Sequence, residues 1–222
     1  MSARAAGPVR IALMAKAPVA GLAKTRLAPA LGVAGAAALA ESLLRHAVAQ
    51  AVAAAPGGVT LWAAPDATHP VFTQLQQAHG LALAVQPGGD LGARMAQVFA
   101  SANAAGPGSV LLMGSDIPAL DATMLRRAAT ALHEHDAVFV PALDGGYALV
   151  GLRALRPGLL AALFDGMTWS TPRVMAETRA RLAALGVGHA ELPAVSDIDE
   201  PADLAHLPPG WLGAGRAPVG AG

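Results

Sequence analysis

The chain contains no cysteine, which removes disulfides, thiolate metal sites and cysteine nucleophiles together and fits the cytosol. Charged residues make up only 14% and cancel, 15 basic against 15 acidic, so there is no broad basic face for nucleic acid or anionic lipid. A secretory signal is missing, because the first apolar run, Ile11 to Ala15, is too short for a signal core. The longest apolar stretch, Val33 to Ala55, is interrupted by Glu41, Arg45, His46 and Gln50, and it reads as a packed helix rather than a membrane span. The seven histidines are dispersed. His133 and His135 lack the i, i+4 spacing of a helical metal pair, and no nucleophile elbow signals Ser-His-Asp chemistry. No internal repeat is present.

What the chain has is apolar substance, 54% of 222 residues, enough for one α/β domain over residues 1–207. Beyond Leu207 the segment PPGWLGAGRAPVGAG has no periodicity and is expected to be a mobile tail over 208–222. Charge is uneven along the chain. Lys16 and Lys24, the only two lysines, lie with Arg26 in one Pro- and Gly-punctuated loop, and no acid occurs before Glu41. Such a loop is either merely solvated or a cradle for phosphate oxygens, and the concentration of charge favours the cradle. GLAKT resembles the end of a P-loop, but Pro18 and Ala23 stand where that motif needs glycines, so an NTPase is rejected.

In chain order, Arg10 to Ala15 is a buried strand. The basic loop follows, then a long helix through Leu39, Leu43, Ala47 and Val52 that stops at Pro56-Gly57-Gly58. Val59 to Ala64 is a strand, Val71 to His79 a helix with Gly80 past its end, and Leu81 to Val85 a third strand. Gln86 to Gly92 forms a second glycine-rich loop, opening a helix that carries Arg94, Met95, Val98 and Phe99 with Asp90 as its cap. Ser109 to Met113 is a strand buried on both faces, and Asp121 caps a helix to about His133. Ala137 to Val140 and Tyr147 to Leu152 are strands around Asp144-Gly145-Gly146. Two helices follow, the second starting at Trp169-Ser170-Thr171-Pro172 with a hydroxyl cap. Ala190 to Val195 is a last strand. Alternating strands and helices imply a mainly parallel sheet with helices on both faces, whose ligands sit outside the carboxyl ends of the strands.

Asp116 is placed by a buried strand at that end, with Pro118 stopping further pairing. It is a metal ligand or a turn cap, and the metal reading leads because Asp121 already caps the next helix. Asp197 and Asp199 before Glu200-Pro201 look like a helix start, but no Lys or Arg occurs from Leu182 to Gly215 to pair with them. Unpaired carboxylates suit a hard cation such as Mg²⁺ that shares substrate phosphates. Asp144-Gly145-Gly146-Tyr147 is either a plain hairpin turn or a place where a ligand approaches the backbone beside a ring. Arg94 and the Gly88-Gly89 loop are a base or sugar contact, or simply a helix start.

The segments KAPVAGLAKTRL, GSDIPAL, DGGYALVGL, WSTP and DIDEPADL, in this order, resemble a bacterial family of glycosyltransferase-A-like proteins. That family is related to 2-phospho-lactate guanylyltransferase and, more distantly, to molybdenum-cofactor and sugar-nucleotide nucleotidyltransferases. The resemblance implies a three-layer αβα nucleotide-diphospho-sugar-transferase fold with a mixed sheet. It implies that Lys16, Lys24 and Arg26, with Gly21 and Thr25 of the same loop, hold donor phosphates, and that Gly88, Gly92 and Arg94 lie near the base. Asp116 and Asp199, with Asp197, would hold Mg²⁺ or Mn²⁺; Asp144, Gly145, Gly146, Tyr147 and Trp169 would border the acceptor. Lys24, Arg26 and Asp116 would carry the chemistry. The chain departs from the pattern in having Gly114-Ser115-Asp116 in place of a two-aspartate motif and in lacking the longer GxGxRM loop. Three functions are therefore weighed: a glycosyltransferase using a nucleotide sugar, a nucleotidyltransferase releasing pyrophosphate, and a nucleotide-binding protein without turnover. Glycosyl transfer to a small acceptor is placed first.

Overall fold

A computed structural model describes residues 8–212. Seven strands form one sheet in the order β3-β2-β1-β4-β6-β5-β7. They are β1 (Arg10–Lys16), β2 (Val59–Ala64), β3 (Ala82–Val85), β4 (Val110–Met113), β5 (Ala137–Pro141), β6 (Tyr147–Leu152) and β7 (His189–Glu191). β1 pairs in parallel with β2 and β4, β2 with β3, and β5 with β7. β6 runs antiparallel to both neighbours, β4 and β5, so the sheet is mixed.

Among the described residues six α-helices cover it: α1 (Ala28–Ala54), α2 (Pro70–His79), α3 (Leu91–Ala104), α4 (Ala122–Ala131), α5 (Leu159–Phe164) and α6 (Val174–Ala184). Alternation along each strand sends neighbouring side chains to opposite faces and so builds two cores. Ile11, Leu13, Leu61, Leu111, Val138 and Val140 meet Leu44 and Val48 of α1, Phe72 and Leu75 of α2 and Leu125 of α4. Ala12, Leu112, Phe139 and Val150 meet Val98 and Phe99 of α3, Leu163 and Phe164 of α5 and Met175 and Leu182 of α6. The result is the three-layer αβα sandwich expected from the resemblance.

Local signals explain most boundaries. Asp90 Oδ1 accepts from Ala93 N at 2.8 Å and Asp121 Oδ1 from Met124 N at 2.7 Å, each capping its helix as expected. Gly80 closes α2 in the left-handed region at φ 62°. Three places differ from the sequence reading. α6 starts at Val174, with Arg173 as its cap residue and no side-chain cap, because Ser170 takes a left-handed φ of 59° and the Thr171 hydroxyl turns back to Thr168 O at 2.9 Å. The last strand is only His189–Glu191, since Pro193 has no amide hydrogen to continue the ladder; a single bridge joins Ala142 to Val195 further on. The helix capped by Asp121 stops at Ala131, two residues before His133.

A third apolar cluster lies beside the sheet's carboxyl edge. Leu27, Leu31, Leu39 and Leu43, from the first 3₁₀ turn (Thr25–Leu27) and α1, enclose Ile198 and Leu204, with Ile198 fully buried. α1 is interrupted at Gly32, whose φ of 71° and ψ of 162° separate its first turn from the rest. By length and composition Thr25–Ala54 could span a membrane, but here its apolar side is buried against the sheet and against the Ile198 segment. Of the stretch expected to be mobile, residues 208–212 are described: Pro208, Pro209 and Gly210 are exposed, while Trp211 and Leu212 rest on this cluster, and the Trp211 ring meets His46 edge-on at 5.0 Å. Residues 213–222 lie outside the described residues.

Ile198 anchors the chain between Asp197 and Asp199. Ile198→Ala should cost about 2–5 kcal/mol of stability through loss of buried methyl groups and the cavity left behind, read as a lower urea midpoint at unchanged m-value.

Candidate functional site

At the carboxyl ends of β1, β3 and β4 the surface opens into a cleft of about 840 Å³, a size that suits a small-molecule ligand. The basic loop forms one wall. Lys24 itself adopts a left-handed conformation, φ 48° and ψ 45°, at the start of the 3₁₀ turn, and its side chain is only 12% exposed. Its Nζ donates to Asp116 Oδ2 at 2.8 Å and to Asp199 Oδ1 at 3.1 Å. The expected cation and both expected carboxylates therefore converge, although they are 92 and 175 residues apart in the chain.

Asp116 arrives on the segment leaving β4. A β-carbon on Gly114 would come within 3.0 Å of Asp116 Oδ1, so the small residue leaves that carboxylate room. Asp199 arrives because Ile198 is buried and its amide donates to Asp116 O at 3.0 Å, which stitches the C-terminal segment to the β4 exit. Beyond Asp199, Glu200 and Asp203 form a capping box on the 3₁₀ turn Pro201–His206, the structural role that the sequence allowed for this segment.

Burial pulls the Lys24 ammonium down, but the Asp116 and Asp199 carboxylates outweigh it and hold its pKa above the ordinary lysine value. Lys24 is therefore charged throughout the physiological range. Arg26 is more exposed and reaches Asp199 Oδ2 at 3.3 Å and Glu200 Oε1 at 3.4 Å. Lys16, at the end of β1, faces the cleft and makes no ion pair among the described residues.

Asp197 lies on the same wall. Burial raises its carboxyl pKa, and the neighbouring charges of Asp116, Asp144 and Asp199 raise it further. Among the described residues no group of three or more His, Asp or Glu side chains is arranged to hold a metal alone. Two carboxylates with open cleft beyond them fit a hard cation that completes its shell with phosphate oxygens, and the Lys24 ammonium already occupies the cationic position between the two.

The opposite wall comes from the β5–β6 hairpin and the segment before α6. Asp144 Oδ1 accepts from Gly146 N at 2.8 Å, a turn contact that also orients the carboxylate. Tyr147 lies edge-on to Phe139 at 5.4 Å and to Trp169 at 6.4 Å. Burial pushes its phenol well above the ordinary range, only partly opposed by Arg181, so it stays a neutral hydroxyl. Asp144, Gly146, Tyr147 and Trp169 border the cleft.

Four of the predicted glycines do not line the cleft: Gly21 and Gly88 are exposed, and Gly92 and Gly145 pack behind it. Gly21 makes a turn at φ 80°, and Gly88 stands away from the cleft. Gly92 is buried beneath Trp169, where a β-carbon would meet the indole Nε1 at 2.8 Å. Gly145, at φ 92°, abuts the backbone of Pro172 and accepts from Met175 N at 2.8 Å, pinning the hairpin to α6. Thr25 and Arg94 do face the cleft. So does Gln86, which the sequence reading placed only in a loop; no pattern around it marked its contacts, which run to other strands.

A family model described as "Uncharacterized protein conserved in bacteria (DUF2064)" matches residues 47–171, which include Asp116, Asp144, Tyr147 and Trp169. No curated protein matches the chain. A protein of Desulfovibrio desulfuricans G20, provisionally named a nucleotide-diphospho-sugar transferase, is 30% identical with a TM-score of 0.73, covering 86% of this chain and 82% of its own. A cytidylyltransferase from Leptospira borgpetersenii has a TM-score of 0.54 at 12% identity, covering 86% and 81%. A nucleotidyl transferase from Methanothermobacter thermautotrophicus has 0.55 at 16%, covering 90% and 95%. At such identities the last two speak for the fold alone.

A β-carbon at position 145 would come within 2.2 Å of Pro172 O on a backbone already at positive φ. Gly145→Ala should therefore destabilise the fold by about 1–3 kcal/mol, visible as a lower melting temperature. For Asp197, the raised carboxyl pKa means that ionisation opposes folding: the penalty is absent below the ordinary value of 3.8 and complete above the raised folded value. Asp197→Asn should then raise the melting temperature at pH 7, and the gain should shrink as matched melts are run towards pH 3.8.

Proposed function

The chain belongs to the bacterial DUF2064 family, and from that premise we propose that it is a transferase acting on a nucleotide-linked donor, with glycosyl transfer from a nucleotide sugar to a small acceptor as its reaction. The observation that carries this reading is the meeting of Lys24 with Asp116 and Asp199 at the carboxyl ends of the strands, with Lys16 and Arg26 beside them. Cations and carboxylates set side by side on one wall suit a diphosphate bridged to a divalent ion. The name of the 30% identical Desulfovibrio protein puts the sugar-nucleotide donor first.

In this reading Lys24 and Arg26 hold the diphosphate and offset the negative charge that grows on it as the sugar–oxygen bond breaks. Lys16, unpaired and exposed at the cleft, adds a third cation. Asp116 and Asp199, with Asp197 beside them, would hold Mg²⁺ or Mn²⁺, which supplies Lewis-acid stabilisation of the leaving diphosphate when bound. Asp144, Tyr147 and Trp169 would border the acceptor: Asp144 accepts a hydrogen bond from its hydroxyl, and the rings shield its face from water. The acceptor oxygen attacks the anomeric carbon, the nucleoside diphosphate leaves, and the acceptor proton passes to solvent or a carboxylate.

A second reading is nucleotidyl transfer, in which an acceptor phosphate attacks the α-phosphate of a triphosphate and pyrophosphate departs. The concentration of Lys24 and Arg26 charge on one wall favours it.

Product analysis separates the two. With Mg²⁺ or Mn²⁺, release of nucleoside diphosphate from a sugar nucleotide is expected, whereas release of pyrophosphate from a triphosphate establishes the second reading. Asp116→Asn should lower kcat by about 10²–10³ while the protein stays folded, because the loss falls on transition-state charge. Nucleotide binding that ignores both the metal and this substitution, with no product from any donor, would reduce the protein to a binding module.

A further inference from the structure

The cation position between Asp116 and Asp199 is filled by the protein itself. Lys24 Nζ stands 2.8 Å from Asp116 Oδ2 and 3.1 Å from Asp199 Oδ1, which engages two of its three hydrogens. A divalent ion held by the same two carboxylates would stand about 2.0–2.6 Å from their oxygens, in the space that the ammonium takes. Like charges at such a separation repel strongly in a partly buried site, so the ammonium and a dication exclude each other there.

The acids are held by backbone contacts and the ammonium is not. Asp116 O accepts from Ile198 N at 3.0 Å, and Asp199 N donates to Asp203 Oδ2 at 3.0 Å beside the capping box. The loop carrying Lys24 is held as well: Ala23 N donates to Val19 O at 2.9 Å, Leu27 N donates to Lys24 O at 2.9 Å, and both Ala23 and Leu27 are buried. What is left to move is the four-carbon stem of Lys24, whose two carboxylate bonds are its only side-chain hydrogen bonds among the described residues. Arg26 reaches Asp199 Oδ2 at 3.3 Å with a side chain 67% exposed, so it flanks the position without entering it. The residue type matters too. Lysine stands at only two of the 15 basic positions, and here a compact ammonium occupies a place where a planar guanidinium would lock bidentately onto a carboxylate.

We propose that Lys24 is the resident cation of the Asp116 and Asp199 pair and that it gives up the position to a divalent metal only when a diphosphate offers its ammonium a second partner. The inference rests on the nucleotide-donor reading above and deepens it by setting the order of binding. Without diphosphate the lysine stays on the carboxylates and metal binds poorly. With diphosphate, the stem swings to the phosphate oxygens and the two carboxylates are freed, so metal and diphosphate enter as a pair. Because the same side chain links both events, each ligand raises the affinity for the other by the same factor.

The test is a Mn²⁺ titration of the full chain without nucleotide, followed by the electron paramagnetic resonance of free Mn²⁺, on wild type, Lys24→Met and Lys16→Met. Lys24→Met should bind Mn²⁺ at least about tenfold more tightly than wild type, the size of an ordinary coupling between sites. Lys16→Met removes a cation from the same cleft but not from the carboxylates, and should change the affinity by less than about twofold, since solvent screens exposed charge. Should Lys24→Met fail to fold, Lys24→Gln serves instead, because it keeps a donor for the carboxylates and loses the charge. Adding pyrophosphate, the diphosphate probe, should raise the Mn²⁺ affinity of wild type by a larger factor than that of the Lys24 variant. Equal Mn²⁺ affinity in wild type and the Lys24 variants, absence of Mn²⁺ binding in all of them, or an equal gain in Lys16→Met overturns the exchange. None of these touches the donor reading, which is judged separately by thermal shift of wild type with GDP, UDP, CDP and ADP in Mn²⁺: no shift with any of them overturns that reading whatever the Mn²⁺ titrations give.

Discussion

One buried ammonium between two carboxylates organises the candidate site. Lys24 cannot sit at 12% exposure without counter-charge, and it finds it in Asp116 and Asp199. Both carboxylates are themselves a third or more exposed, at 35% and 42%, so the contribution to stability is limited by solvent. The consequence is geometric: three segments far apart in the chain are drawn to one point at the mouth of the sheet. The same arrangement sets carboxylates and cations side by side at the cleft.

The polar contact stands on an apolar one. Ile198 is buried among leucines of the 3₁₀ turn and α1, and the residues on either side of it are the two aspartates. Side chains that flank a buried residue on an extended segment are directed away from it, here towards the cleft. Hydrophobic burial thus provides the force, while the strand end carrying Asp116 provides the register through the Ile198 to Asp116 backbone bond. α1 serves both, since it packs the sheet with one side and the Ile198 segment with another.

The strand order spreads the cleft into three parts. Gln86 and Arg94 lie towards β2 and β3, Lys24 with its carboxylates at β1 and β4, and Asp144 with Tyr147 beyond β4 on the antiparallel strand β6 and its hairpin. The reversal of β6 is what brings a hairpin, and not a helix, to the cleft on that side. Glycines let these parts close up: Gly92 admits the Trp169 ring, and Gly145 admits the backbone of Pro172. Their function is close packing, a different use from ligand approach although the sequence signature is the same.

Much of this was legible in the residues. Strands β1, β2 and β6 and the caps Asp90 and Asp121 follow from apolar runs and short-range hydrogen bonding, both local along the chain. The start of α6 was not legible, because whether Thr171 caps a helix depends on the left-handed turn at Ser170 next to it. The gathering of the charged residues followed only from their all facing the carboxyl ends of strands, and the family resemblance extended it to the C-terminal acids. What the sequence by itself determined is the set of elements, their alternation and the two groups of opposite charge, since periodicity and composition are properties of neighbouring residues. Only the tertiary structure decided that Lys24 bridges Asp116 and Asp199, that Gln86 bonds Arg94 and that Gly92 and Gly145 pack behind the cleft, for these depend on which segments a buried Ile198 and a reversed β6 bring face to face.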